Sequence, residues 1–565
     1  MLEKFNPSFN HNCIHDKVSQ HLAYLQPHHP APATEYSRAA SNTNLKANNN
    51  PVTRHPIRII FNTTFLRSPE PNTCYSVGQM IGNYQCTARD VLTPELATLI
   101  ENTLLPHIST TYGSILEVNS TEYTNITFKG TCSGEGYSMD VRGFTGDYMM
   151  YVTSHPTSSP NTIAYSTACG IRGSSPYSPY LGLINFAPSW FSLFANATYL
   201  QTHQANWNYL FQVALHEATH ALGFSAYMYS RFVDRTTGQV YNTTQVQVTT
   251  DGTSPSGQAY STKRAFLSTP AVRAFARQHT GCDTLPGGEL ENLGASGFTA
   301  GSHWKASRIG EELMLGYAQT VAPLTNMTIS LLVDSGWYTV YNATGISRYL
   351  FGLDKGCDFA MKPCSAQTWN YTGYWQPSNP QLGSYNISCS ATRAAVGISA
   401  IIEYNGVLDP SVQHFSKPTV GSFNGYIFDY CLFNSAEGAA AGYFCFDTSR
   451  KPSQDGETFG PNSACFLSNS NGSASVNTPA CRPQRCNNGV IEFQYQARWY
   501  GCPMGQMVNA SGLVVQCPNE RLCLPGRGGN DISMSLSLQQ HMSPLIILFL
   551  LSMSVLMVLI QQQNY

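Results

Sequence analysis

The chain has 565 residues, 42% of them hydrophobic and only 11% charged, with a formal net charge of −2. That length permits about two to four ordinary domains and a large buried core. The near-zero charge, without a basic run or an acidic tail, excludes broad electrostatic capture of nucleic acid or of an anionic membrane surface.

In chain order, the first 16 residues (MLEKFNPSFNHNCIHD) hold no apolar run of signal-peptide length. Residues 17–55 are rich in His, Pro, Asn and Ala without periodicity, the texture of a pro-segment or linker. Residues 57–66 (IRIIFNTTFL) predict a strand. Residues 93–108 predict an amphipathic helix: Thr93 as N-cap, Pro94 at the first helical position, Glu95 in the first turn, and Leu96, Ile100, Leu104 and Leu105 at helical spacing. Residues 146–156 and 180–188 predict strands, and 208–224 (NYLFQVALHEATHALGF) predict a second long helix. Beyond residue 225 come turn-rich stretches such as 249–258 (TTDGTSPSGQ) and a helix over 269–279. Residues 356–525, dense in Cys, Gly and Pro, predict strands and long loops with few helices.

The chain has 17 cysteines, 12 of them beyond residue 281 and none in zinc-finger spacing. That pattern implies disulfide staples formed in an oxidising compartment, with Cys13 standing apart as the odd thiol. N-x-S/T sequons recurring from Asn62 to Asn509 agree with an extracellular setting. The absence of a leader-like run conflicts with that setting, so the expectation is a true start upstream of Met1. Residues 545–560 (LIILFLLSMSVLMVLI) are apolar or small throughout, with small residues around Gly528 to Ser535 and a polar spacer before them. Either a short bilayer span or a glycolipid-anchor signal follows, and both put the protein on a membrane, facing outward.

The motif that carries chemistry is His216-Glu217-Ala218-Thr219-His220, an H-E-x-x-H inside an Ala- and Leu-rich helix. Two histidines four apart share one helix face and can reach one ion. Glu217, about 100° round the helix from His216, can address a water on that ion. Burying these groups without a metal or partners would cost several kcal/mol. Zinc catalysis needs a third protein ligand and an open fourth position. Gly223, three residues after His220, suits a helix stop in a left-handed conformation, but Ala226 stands where a simple metzincin pattern requires histidine.

HEATHALGFS together with AGSHWKASRIGEELM (300–314) resembles the leishmanolysin family, as do IRIIFNTTFL, CYSVGQMIGNYQCTARDVLT, GFTGDYMMYVTSHP and GCDTLPGGELENLGASGFTAGSH; the resemblance covers residues 11–525. It implies His303 as the third zinc ligand and Met314 as the methionine turn beneath the metal. It also implies the pairs Cys74–Cys86, Cys132–Cys169 and Cys282–Cys357, and a pro-region cysteine, Cys13 in HNCIHD, that caps the zinc. The fold expected is α+β: a pro-segment (1–55), a metzincin-like catalytic subdomain with the H-E-x-x-H helix (56–225), a mixed central domain (226–355), a Cys-rich, mostly β and loop C-terminal domain (356–525), and a spacer with a hydrophobic anchoring tail (526–565). The function expected is that of a surface zinc endopeptidase, with Glu217 as general base and protein or peptide substrates, acting in adhesion or host-protein degradation. A surface decoy that kept the fold and lost catalysis, and a zinc hydrolase of non-peptide bonds, are the rival readings.

Overall fold

The computed structural model describes residues 53–119, 126–132, 137–173, 175–292, 301–364, 373–375, 381–436, 442–453, 456–469, 477–520 and 522–523. Cys13, nearly all of the pro-segment, and the spacer and tail lie outside the described residues. Among the described residues, no helix is long and apolar enough to cross a membrane.

The N-terminal half is built on a four-stranded mixed sheet. Strand β1 (Ile59–Asn62) pairs in parallel with β2 (Tyr148–Thr153), β2 in parallel with β4 (Pro179–Phe186), and β3 (Ala164–Ile171) runs antiparallel on the outer side of β4. The period-2 alternation of a strand sends successive side chains to opposite faces. Here both faces are covered. Tyr148, Met150, Val152, Ala164 and Ala168 face the main core, while Tyr151, Tyr165, Cys169, Leu181 and Leu183 join a second cluster with Cys132, Met139 and Val141.

The helix expected over 93–108 continues to Gly113 in three pieces: α1 (Pro94–Leu99), a π turn over Ile100–Leu104, and α2 (Leu105–Gly113). The Thr93 hydroxyl accepts from the Leu96 amide at 3.2 Å and closes the N-terminus as its residue type implies. The π turn ends two residues before Pro106, which has no N–H to donate to the preceding turn, so the ladder is locally rewound rather than broken.

Helix α3 (Gln204–Leu222) begins four residues before the expected start and is buried at every position from Trp207 to Leu222. It lies across β3 and β4, and Ala214, Ala218 and Ala221 allow the close approach. Of the stretch read as turn-rich, 254–258 is the turn and 249–253 the end of a strand in a long antiparallel hairpin, β5 (Gln245–Thr253) on β6 (Ala259–Leu267), to which β7 (Gly288–Leu290) adds a third strand. Helices α4 (Pro270–Thr280) and α5 (Asn326–Asp334) pack on each other in the same core.

The C-terminal region is rich in β structure, as expected. One sheet pairs Tyr385–Cys389, Ala395–Glu403 and Val420–Ser422. A six-stranded sheet follows in the spatial order Arg498–Cys502, Val490–Tyr495, Thr478–Asn487, Ser463–Asn469, Leu513–Gln516, Met507–Ala510. The three disulfides that the resemblance implied are formed, and five more staple the C-terminal region: Cys364–Cys431, Cys389–Cys465, Cys445–Cys481, Cys486–Cys523 and Cys502–Cys517. The main hydrophobic core runs without interruption from Ile57 to Phe433, so the C-terminal region contributes side chains to the core that carries α3.

Candidate active site

Four carbonyls at the C-terminus of a helix have no partner within it. In α3 all four are satisfied. Thr219 accepts from the Gly223 and Phe224 amides, both at 3.1 Å, and His220 from the Gly223 amide at 3.2 Å. The last two are reached from far along the chain: the Tyr148 hydroxyl donates to Ala221 at 3.0 Å and the Tyr338 hydroxyl to Leu222 at 2.9 Å. Further back, the Tyr112 hydroxyl donates to the Leu215 carbonyl at 3.1 Å, and the Ser166 hydroxyl of β3 donates to the Glu217 carbonyl. These contacts set the depth and rotation of the helix against the sheet.

His216, His220 and His303 meet in the buried interior, 4%, 0% and 0% exposed. The Nε2 atom of His220 lies 3.0 Å from that of His216 and 3.1 Å from that of His303. The His216 and His303 rings are nearly parallel, at 15°, and His220 stands across both at 86° and 83°. Two tautomers follow from the neighbours. His216 Nδ1 is 2.8 Å from the Leu313 carbonyl and His220 Nδ1 is 2.6 Å from the Phe224 carbonyl. A carbonyl can only accept, so both Nδ1 atoms carry the proton and both Nε2 lone pairs point inward. Two imidazole lone pairs facing each other at 3 Å repel unless a cation sits between them. Tetrahedral zinc with bonds of about 2.0 to 2.1 Å to nitrogen would set its ligands about 3.4 Å apart, close to what is found. The donor set therefore fits a zinc ion.

Each local feature that brings these groups together has a physical cause. Gly223 ends α3 at φ +150°, a positive angle well past the left-handed helical region that its position suggested, and it turns Phe224 so that its carbonyl faces His220. A Cβ at Gly223 would lie 2.9 Å from Trp337 Cζ3. Ala226, where histidine was wanting, is the contact point of the loop that carries His303: its amide donates to Ser302 Oγ at 2.9 Å, next to His303. Gly301 (φ +86°) lies beside it, and its carbonyl accepts from the Tyr229 hydroxyl at 2.9 Å. The His303 carbonyl accepts from the Glu291 amide at 2.8 Å, and the Trp304 amide donates to the Met314 carbonyl at 2.8 Å.

Met314 is fully buried next to Leu313, whose carbonyl orients His216. Glu312 holds this turn from within. Its carboxyl accepts from the Met314 amide at 2.7 Å, the Thr328 hydroxyl at 2.7 Å and the Thr325 hydroxyl at 3.1 Å, while burial pushes its pKa up to about 7. Glu217, the expected base, is fully buried on α3 between the two histidines. Sequence reasoning missed Lys305. Its ammonium is buried between Glu291 Oε1 at 2.9 Å and Asp429 Oδ1 at 2.8 Å, and its amide donates to the Glu289 carbonyl at 2.9 Å. A lysine two residues after a proposed ligand carries no local signal of a partner more than a hundred positions away.

A family model described as leishmanolysin, a peptidase family, matches residues 11–520. The chain belongs to the leishmanolysin family. Among curated relatives, a leishmanolysin homolog of Crithidia fasciculata is 30% identical over 371 residues, covering 64% of this chain and 51% of that one. A leishmanolysin-like peptidase of Caenorhabditis briggsae is 27% identical over 329 residues, covering 51% and 48%. Leishmanolysin of Leishmania tropica is 26% identical over 458 residues, covering 75% and 63%. The chain thus spans about half the length of the first two relatives. The leishmanolysin match covers α3, the His303 segment and the cysteine-rich region together.

Proposed function

We propose that this protein is a zinc endopeptidase whose metal is held by His216, His220 and His303 and whose general base is Glu217. The observation that carries the reading is the convergence of three buried Nε2 atoms, two of them aimed inward by carbonyls on Nδ1. Membership of a peptidase family makes peptide bonds the substrate class. Zinc held by these three residues would supply Lewis acidity, lowering the pKa of a bound water and polarising the scissile carbonyl. The residues do the rest. Leu313 and Phe224 keep the two helix histidines in the ligating tautomer through the reaction. The Glu217 carboxylate takes the proton of the attacking water and hands it to the leaving amine. Its burial keeps bulk water from competing for that proton.

The wider scheme belongs to the same proposal. The catalytic region is metzincin-like over 56–225 with His303 supplied from the central part (226–355), Cys13 caps the zinc in a latent form, the Cys-rich domain fills 356–525, and the tail anchors the protein outside the cell. The eight disulfides and the sequons support an oxidising, extracellular setting.

The deciding experiment compares wild type with Glu217→Gln, both freed of the pro-segment, in peptide cleavage and zinc content. The expected result is about one zinc per chain in both and a loss of at least about 10²-fold in turnover for the variant. A fully active Glu217→Gln refutes the base assignment, and wild type without zinc refutes the ligand set.

A further inference from the structure

A second cluster of metal-ligating side chains lies away from the three histidines. Cys364 and Cys431 form a disulfide, and the His414 ring lies against it: Nε2 is 3.2 Å from Cys364 Sγ and 3.7 Å from Cys431 Sγ. The Asp429 carbonyl oxygen is 2.7 Å from the same Nε2 and 3.9 Å from Cys431 Sγ. Four donors, two sulfurs, one imidazole nitrogen and one carbonyl oxygen, are therefore gathered at one point. Tetrahedral zinc, with bonds of about 2.3 Å to sulfur and 2.0 Å to nitrogen, needs sulfur–nitrogen edges of about 3.6 Å and a sulfur–sulfur edge of about 3.8 Å. The sulfur–nitrogen edges already bracket that value. Two things stand in the way: the sulfur–sulfur bond, and the 2.7 Å hydrogen bond from Nε2 to the Asp429 carbonyl, which must lengthen to about 3.3 Å for both atoms to ligate.

We infer that Cys364, Cys431 and His414, with the Asp429 carbonyl, form a thiol-gated site for a soft divalent cation such as zinc or cadmium, closed while the disulfide is intact and opened by its reduction. The opening step is a two-electron exchange: a dithiol passes two electrons and two protons to the Cys364–Cys431 bond, giving two thiols, and leaves as its own cyclic disulfide. Cation binding then releases both thiol protons, and the imidazole proton moves from Nε2 to Nδ1 so that Nε2 can ligate.

The surroundings suit this change. A cavity of about 70 Å³ reaches Cys431 and His414 and is lined by Arg264, Glu289, Lys305, Arg308 and Asp429. Arg264 pairs with Glu289 at 2.5 Å and Lys305 with Asp429 at 2.8 Å, while Arg308 stands 3.9 Å from Glu289, so three cations face two carboxylates and the lining holds no cation until the thiols ionise. Two thiolates would add two negative charges to this lining, which one divalent cation cancels. Burial favours the neutral form of His414, the form that ligates. The inference is independent of the peptidase reading, because none of these residues belongs to the histidine cluster.

The test uses the full chain, titrated with a phosphine reductant and then freed of it. Alkylation and mass spectrometry identify which cysteines have opened, and cadmium is added while the ultraviolet thiolate-to-cadmium absorption is followed. That absorption is blind to an all-histidine site. The expected result is an opened Cys364–Cys431 pair with the fold retained, and one further cadmium per chain bound with thiolate absorption. His414→Ala should weaken this cadmium more than about tenfold, the low end of what losing even an outer-shell partner costs a metal site, and Cys364→Ser should abolish the absorption from this pair. If His414→Ala does not fold, the cadmium-113 resonance of wild type decides, a mixed sulfur–nitrogen donor set supporting the site and any other set overturning it. No added cadmium once the pair is open, equal affinity in His414→Ala, or collapse of the fold on opening would each overturn the inference.

Discussion

Gly223 answers two demands at once: its backbone angle is one that L side chains rarely adopt, and the space a Cβ needs is held by Trp337. Gly223→Ala is expected to cost about 1–3 kcal/mol in a denaturant titration and to weaken zinc retention, since Phe224 would no longer present its carbonyl to His220. An unchanged midpoint would mean that Trp337 gives way freely. Glu311 makes a separate prediction. Burial pushes its pKa from 4.5 up to about 7, against the opposing pull of the Thr392 amide at 3.0 Å. Between those two values the unfolded chain has released this proton and the folded chain still holds it. Glu311 therefore makes stability fall as pH rises from 4.5 to 7, with no further change outside that window. Glu311→Gln removes this fall. Its melting temperature should match wild type at the acid end and exceed it at the neutral end, by the equivalent of at most about 3 kcal/mol. A constant offset across the window would exclude ionisation as the cause.

At the scale of elements, α3 was legible and its surroundings were not. Its all-round apolar character, its stop at Gly223 and its two histidines are local properties of spacing and residue type, whereas its start, four residues early at Gln204 and without a side-chain cap, carried no such signal. The hydroxyls that close its last carbonyls, from Tyr148 and Tyr338, are tertiary and leave no mark near residues 204–222. The same contrast explains the missed strands. Ala164–Ile171 is buried on both faces and mixes small and polar residues, so it shows no alternation. Gln245–Thr253 has no buried position and is mostly exposed, so its composition is that of a turn although it pairs residue by residue with Ala259–Leu267. His303 became legible only through the resemblance of its flanking segments, because a histidine 83 residues from His220 has no spacing rule that would join it to the motif. Tyr148→Phe tests the capping argument. It keeps the ring and removes the donor, leaving the buried Ala221 carbonyl unsatisfied at an expected cost of about 1–3 kcal/mol. Val152→Ala, which deletes packing on the same strand without touching a hydrogen bond, supplies the reference for a purely apolar loss. A Tyr148→Phe cost near zero would show that the carbonyl finds water.

Across the whole molecule, the part that carries α3 and the cysteine-rich part are joined at Lys305. The strand Gly288–Leu290 and the His303 segment are laced by backbone bonds, and the Lys305 ammonium ties that lacework to Asp429 in the C-terminal region. Asp429 is held there by the Ser307 hydroxyl at 2.5 Å and sits at φ +50°, between core residues Phe428 and Cys431. A buried ion pair is poor evidence of net stabilisation, but removing one partner leaves the other charge uncompensated. Lys305→Met should therefore cost about 3–5 kcal/mol, because it strands two buried carboxylates. Asp429→Asn should cost less, since Lys305 keeps Glu291. If the pair acts as one latch, the double variant loses less than the sum of the two single variants by about 0.5–3 kcal/mol. The latch should also be felt at the metal. Zinc competition against a chelator should show His303 loosened in both single variants, with affinity down about 10- to 100-fold, the range for partners that orient a ligand without touching the metal. Strictly additive stabilities with unchanged zinc affinity would mean that the C-terminal region packs against the third ligand's segment without positioning it.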